Sequence, residues 1–327
     1  MMKKLTLNKQ GFVKCREWPF FSALIMVVVF FLINCFVTRN FLTFDYIVSL
    51  FGNNTPLILI SLGVAVVILG GGIDISQGSL ITVLNVVFVT MTVKLGIDYR
   101  LSALMILFIG ILIGAINGIV VSICKVPALL ATFSMTFVLD GLAYWIMPKP
   151  MSGMPKVLVS WYHGLIFGIP TPIFILLLSV IICLVVKRTP IMTWIFAIGN
   201  SRENAFVSGI PVNFTQIFSY MFAGMMGAVA AFAMTANTGS ADALLAQGMS
   251  LQAVSACVIG GLSMDGGRGS LTGAFLGAIY LFLTSTIVYS LKVDVFYQDL
   301  IEAIIILTGV ICSVLINRAF TKEVKEI

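Results

Sequence analysis

The feature that most constrains this chain is the length of its stretches without charge. Between Glu17 and Arg39 lie 21 residues with no charged side chain, enough to cross about 30 Å of hydrocarbon as a helix rising about 1.5 Å per residue. Lipid offers no water to backbone amides, so such a run must satisfy its hydrogen bonds internally, as a helix does. By the same criterion, spans are expected at 46–69, 76–93, 101–123, 127–147 and 170–186, and after a polar interruption at 214–236, 249–262, 270–290 and 299–316. That makes about ten helices. The stretch 249–262 is short and Gly-rich, and reads as a broken or re-entrant crossing. The expected fold is an all-α, polytopic transmembrane bundle that occupies 1–327 as one domain.

Composition closes off the soluble alternatives. The chain is 60% hydrophobic and 10% charged, against roughly one quarter charged in a soluble domain that must face water all round. Lys3, Lys4, Lys9, Lys14 and Arg16 precede the first run as in a secretory signal. The run is too long for a signal's apolar region and no small-residue cleavage site follows, so it reads as a retained anchor. With the N-terminus inside and ten crossings, thirteen of the nineteen basic residues fall in cytoplasmic segments and six outside. This bias predicts cytoplasmic termini, a cytoplasmic tail at 1–17 and a cytoplasmic loop at 187–213, in a multi-pass membrane protein. The net charge of +6 then reflects topology in a lipid bilayer, and no basic stripe for nucleic acid exists.

Catalytic chemistry has little to stand on. Cys15, Cys35, Cys124, Cys183, Cys257 and Cys312 are scattered singly through apolar runs, and His163 is the one histidine. Neither a metal site nor a nucleophilic dyad can be assembled from them. No enzyme activity, metal or cofactor is expected.

Two segments interrupt the apolar pattern. In the first, Gly70, Gly71 and Gly72 precede Asp74, Ser76, Gln77, Gly78 and Ser79. Three glycines hold a helix poorly, and a carboxylate at the membrane edge requires a partner or water. This break reads either as a tight cytoplasmic turn or as a discontinuity lining a pathway. The second runs from Gly260 to Ser270 through Asp265 and Arg268 and echoes the first, because Ser61-Leu62 with Gly71-Gly72 lies 189 residues before Ser250-Leu251 with Gly260-Gly261. Such an echo points to an internal repeat of the kind transporters carry. No Gly-x-x-x-x-Gly-Lys-Ser/Thr occurs, so any ATP must be handled by a partner.

The run Gly71 to Ser79, GGIDISQGS, resembles the Gly-Gly-x-Asp-Leu-Ser-x-Gly-Ser signature of ribose and related monosaccharide ABC importer permeases. Three more stretches agree in order and spacing. They are Asn117-Gly118 with Lys125-Val126-Pro127 and Ala131-Thr132; Ala197 to Asn200 with Ser208-Gly209-Ile210; and Val258 to Gly261 with Gly266 to Ser270. There are departures. Where the family often carries Glu-Leu-Asp-Ala-Ile-Ala, this chain has Ser250-Leu251-Gln252-Ala253-Val254-Ser255, and where it commonly has arginine before Gly-Leu-Ala, this chain has Asp140. These departures bear on the particular sugar and on the pairing arrangement.

The resemblance implies a permease subunit of the bacterial inner membrane for a ribose-like pentose or a hexose. A second permease copy or paralogue would pair with it, a sugar-binding protein would dock outside, and a cytoplasmic ABC ATPase would drive transport. The segment 200–211 is then the expected ATPase-coupling element, with Asn200 or Ser201 capping a short helix, Arg202, Glu203 and Phe206 as contacts and Gly209 as its exit. Asp74, Gln77, Asn85, Asn117 and Ser134 are candidates for the translocation pathway, since a neutral sugar needs hydrogen-bonding side chains without strong charge. Asp140 and Glu302, inside apolar runs, are expected to be shielded from lipid. From the residues alone, carboxylates such as Asp74, Asp140, Asp265 and Glu302 also fit an ion-coupled secondary transporter of a small polar solute.

Overall fold

The computed structural model describes residues 19–323; the tail at 1–17 lies outside the described residues. Helices dominate them: α1 (Pro19–Val37), α2 (Phe44–Leu69), α3 (Gln77–Val89), α4 (Tyr99–Ser122), α5 (Ala128–Ile146), α6 (Lys156–Tyr162), α7 (Thr171–Arg188), α8 (Pro190–Asn200), α9 (Arg202–Val207), α10 (Val212–Thr238), α11 (Met249–Ile259), α12 (Leu271–Ser290) and α13 (Val295–Glu323). A π-helical turn, Thr90–Lys94, extends α3. Among the described residues nine helices are long and apolar enough to cross a bilayer. The tenth expected crossing is α11, whose 11 residues rise only about 17 Å, near half of the hydrocarbon thickness.

The centre belongs to α2. Every residue from Thr55 to Leu69 is buried, so this part has no face to offer water, whereas along α5 only Ala131, Thr132, Leu139 and Ala143 are buried. Neighbouring helices approach through small residues, because in lipid the gain comes from close van der Waals contact, not from leaving water. Gly110, Gly114 and Gly118 recur every four residues along α4 and form a flat stripe against α10. A Cβ at Gly110 would lie 2.7 Å from the Gly224 carbonyl oxygen, and one at Gly118 would lie 2.7 Å from the Ile217 Cα.

At one end of the bundle, short strands organise the loops. β1 (Met151–Ser152) pairs antiparallel with β4 (Ser240–Ala241), Met151 opposite Ala241 and Ser152 opposite Ser240. β2 (Leu165–Ile166) and β3 (Ile169–Pro170) form a small hairpin. Between these pairs, α6 buries Tyr162, whose hydroxyl donates to the Gly52 carbonyl at 2.7 Å. Burial pushes that hydroxyl up to about 12, so it stays a neutral donor to α2. Gly239, at φ +67°, closes α10 and turns the chain into the strand, after which residues 242–248 lead back to the start of α11 beside Gly78.

Candidate functional site

The first glycine break is a closed polar knot. Asp74 is 0% exposed and accepts from the Ser76 amide at 2.9 Å, the Ser76 hydroxyl at 2.6 Å and the Gln77 side-chain amide at 2.6 Å. Three donors offset much of the cost of taking a carboxylate out of water. Asn117 of α4 donates to the Ser76 hydroxyl oxygen at 3.0 Å. From α5, the Thr132 hydroxyl oxygen accepts from the Ile75 amide at 3.3 Å, and the Thr136 hydroxyl lies 3.3 Å from the Ile75 carbonyl. Asp74 therefore fixes the turn between α2 and α3 and ties it to two further helices.

The second break meets the first through backbone alone. The Gly267 amide donates to the Leu69 carbonyl at 3.0 Å, and a Cβ on Gly266 would fall 2.7 Å from the Gly71 Cα. Gly71, Gly266 and Gly267 all sit at positive φ, where a side chain would be strained as well as crowded. Gly199, near the end of α8, completes the junction, since a Cβ there would overlap Leu69 O and Gly267 N. The echoed motifs are thus adjacent in space and clasped to the segment that follows α8.

A groove of about 310 Å³ is lined by Ile75, Gly78, Ser79 and Thr82, by Phe133, Thr136 and Asp140 of α5, and by Ala246, Gln247, Gly248, Ser250 and Leu251. The N-terminal ends of α3 and α11 converge here, and the Gly78 amide donates to the Ser250 hydroxyl at 2.7 Å. Discontinuous helices whose ends meet inside a membrane domain are the usual framework for a small-solute site. With hydroxyls, one amide and one carboxylate around an aromatic ring, the groove can hydrogen-bond a small hydroxylated solute and cover its apolar face.

The sequence-predicted pathway residues fall in three places. Asp74, Gln77 and Asn117 share the buried knot. Asn85 is apart from them, donating to the Thr235 hydroxyl oxygen at 2.7 Å and the Ser240 carbonyl at 3.1 Å, so it holds α3 to α10 and β4. Ser134 lies on the exposed face of α5 and joins neither the knot nor the groove. Sequence reasoning missed Ser79, Thr82, Thr136, Gln247 and Ser250 as groove residues. Thr136 and Asp140, four residues apart and hence on one helix face, carried a signal that could have been read. Asp140 and Glu302 are both half-buried, and Glu302 accepts from the Ser285 hydroxyl at 2.7 Å.

The segment after α8 has the local form expected for it. Ser201 caps α9 by accepting from the Asn204 amide at 3.3 Å, while Asn200 folds back to donate to the Phe196 carbonyl at 3.0 Å. At the other end Gly209, φ +80°, donates to Phe206 O at 3.0 Å and Ile210 to Ala205 O at 3.1 Å, the paired bonds of a Schellman close. Between these caps Phe206 is 73% and Val207 85% exposed, and Glu203 faces out beside them. Arg202, itself exposed, donates to the Ser122 carbonyl at the end of α4 at 3.1 Å and to the Asn213 side-chain oxygen at 3.3 Å. An open pocket of about 500 Å³ runs beside it, bordered by Lys125, Phe206 and residues 210–214.

Comparison with known proteins agrees with this architecture. Residues 46–310 match the family described as branched-chain amino acid transport system / permease component. The chain is 29% identical over 320 residues to the ribose import permease protein RbsC of Haemophilus influenzae, covering 96% of this chain and 98% of that protein. It is also 29% identical over 304 residues to the autoinducer 2 import system permease protein LsrC of Enterobacter sp. (strain 638), covering 92% of this chain and 88% of that protein. No solved structure matches it significantly. Because the family match runs from α2 into α13, the chain belongs to this family of permease components, as a multi-pass membrane transport subunit and not an enzyme.

Proposed function

We propose that this chain forms the translocation pathway of an ATP-binding-cassette importer for a monosaccharide, a ribose-like pentose or a hexose, and that a separate cytoplasmic ATPase moves it through α9. The observation that carries the reading is the hydroxyl-rich groove at the meeting point of α3 and α11, whose Ile75 follows Gly71 of the Gly71–Gly199–Gly267 junction by one short turn of chain. Solute contact and the start of the coupling segment would thereby be joined through the backbone from Gly71 to Ile75. The similarity to a ribose import permease supports the sugar. The cap-to-cap geometry of α9 supports a stiff stud whose Phe206 and Val207 seat in a partner, since exposed apolar side chains beside charges mark contact sites. The basic bias of 187–213 supports its cytoplasmic placement together with both termini.

Two further partners follow from this reading. A second permease copy or paralogue would cover α5, which exposes Phe133, Phe137 and Trp145, and an extracytoplasmic sugar-binding protein would deliver solute at the end carrying β1 to β4. Uptake of labelled ribose and glucose into proteoliposomes holding the assembled importer tests the proposal. Uptake should require ATP and an intact ATPase and should survive dissipation of proton and sodium gradients. Uptake that stops when the gradients collapse, with ATP present, would replace it with ion-coupled secondary transport.

A further inference from the structure

The groove carries a bias in its hydrogen-bonding chemistry that goes beyond its being polar. Thr82 and Thr136 point their hydroxyl protons at backbone carbonyls of their own helices, Gly78 O at 3.1 Å and Thr132 O at 3.1 Å. A hydroxyl whose proton is committed in this way offers incoming solute its lone pairs. Asp140 lies one turn beyond Thr136 on the same face of α5, and among the described residues it is the sole ionisable side chain of the lining. Among the described residues no lysine, arginine or histidine borders the groove to balance it.

The helix ends that meet here might be expected to reverse this sign, because an uncapped helix N-terminus attracts anions. Several of their amides are already taken: Asp74 takes the Ser76 amide, the Ser250 hydroxyl takes the Gly78 amide, and the Gly248 carbonyl takes the Leu251 and Gln252 amides. Ser79, Gln247 and Ser250 can still donate, and the ionisable group that sets the sign of the groove among the described residues is Asp140.

Building on the pathway reading above, we infer that Asp140 is a specificity-determining residue that makes this groove take donor-rich solutes, neutral polyols or amino sugars, and exclude anionic ones such as sugar phosphates and sugar acids. A polyol presents hydroxyl protons to Thr82, Thr136 and Asp140, whereas a phosphate or carboxylate presents only acceptors and like charge.

The test reads the groove's charge directly. In a chain whose native cysteines are replaced by alanine or serine, Thr136→Cys is assembled with the ATPase and reacted with a cationic and an anionic methanethiosulfonate of similar size. The cationic reagent should react faster by about tenfold or more. Asp140→Asn should remove that preference and Asp140→Glu should restore it, with size-exclusion profiles confirming that each variant is folded. Equal rates in the Asp140 background, a preference that survives Asp140→Asn, or protection of Thr136→Cys from both reagents would each overturn the inference. ATP-driven uptake of ribose and of ribose 5-phosphate is measured alongside. Loss of all ATP-dependent sugar uptake with the reagent preference intact would sink the importer reading and leave the charge selection standing. Ribose 5-phosphate uptake that matches ribose in the unmodified importer would overturn the selection alone.

Discussion

Replacing Gly199 with alanine is the sharpest perturbation of the link between the coupling segment and the groove. The added Cβ would overlap Leu69 O and Gly267 N and sit 3.0 Å from the Gly267 Cα. Every one of these neighbours is backbone, held in place by α2 and by the second break, so no side-chain rotamer can yield. Overpacking of this kind costs about 1–3 kcal/mol. Parting the strands of the junction also breaks the 3.0 Å bond from the Gly267 amide to the Leu69 carbonyl, and a buried donor left without a partner costs about 1–3 kcal/mol more. The total of about 2–6 kcal/mol is large enough to shift α8 away from the glycine breaks. The expected result in nanodiscs is a permease that inserts and retains its ATPase while ATP hydrolysis no longer produces uptake. Gly141→Ala is the control, because nothing lies within 4 Å of a Cβ there and the change should stabilise α5 by about 1 kcal/mol. Wild-type uptake and an unchanged unfolding temperature in Gly199→Ala would refute the claim that this contact transmits motion.

Phe206→Asp should abolish co-purification with the ATPase and reduce uptake at least tenfold while the amount of permease in the membrane stays constant. Arg202→Met, which removes the tie to Ser122 O, should cost about 1–3 kcal/mol in thermal unfolding and lower uptake with the ATPase still bound; loss of ATPase binding would place Arg202 in the docking surface instead. Asp74→Ala leaves the Ser76 and Gln77 donors buried without their acceptor, so it should destabilise the permease by about 3 kcal/mol or more, read as reduced yield and a lower unfolding temperature in detergent.

Much of the fold was legible because membrane helices announce themselves by where charge stops. The 11-residue α11 was foreseeable from the glycines and polar residues that crowd 249–262, and the cap and exit of α9 from Ser201 and Gly209. Helix phase was harder to read. Ser134 and Thr136 are two residues apart and look equivalent in a string of letters, yet a helix places them about 200° apart, one on the outer face and one in the groove. Gln77 and Asn117 are suitable chemically for a sugar, and both hydrogen-bond within the knot around Asp74, a placement that depends on which helices touch. Arg202 illustrates the same limit, since its charge marked it as a surface contact while its bond to the Ser122 carbonyl at the end of α4 could not be read from the sequence. The adjacency of the two breaks was hinted at by the echoed motif, whereas the Ala197 to Asn200 stretch gave no sign that its Gly199 would form the third side of that junction.

The glycine stripe between α4 and α10 has a mechanical consequence. Helices whose backbones touch at Gly110, Gly114 and Gly118 cannot slide without first climbing over one another, so the pair behaves as one beam. Any opening of the groove must then be borne by what the beam does not hold. On the groove's wall that element is α5, which meets the first break through the Thr132 hydroxyl accepting from the Ile75 amide. A latch made by one hydroxyl can release and re-form in a way that a fused backbone cannot, and this makes α5 the natural door to a frame built of α2, α4 and α10.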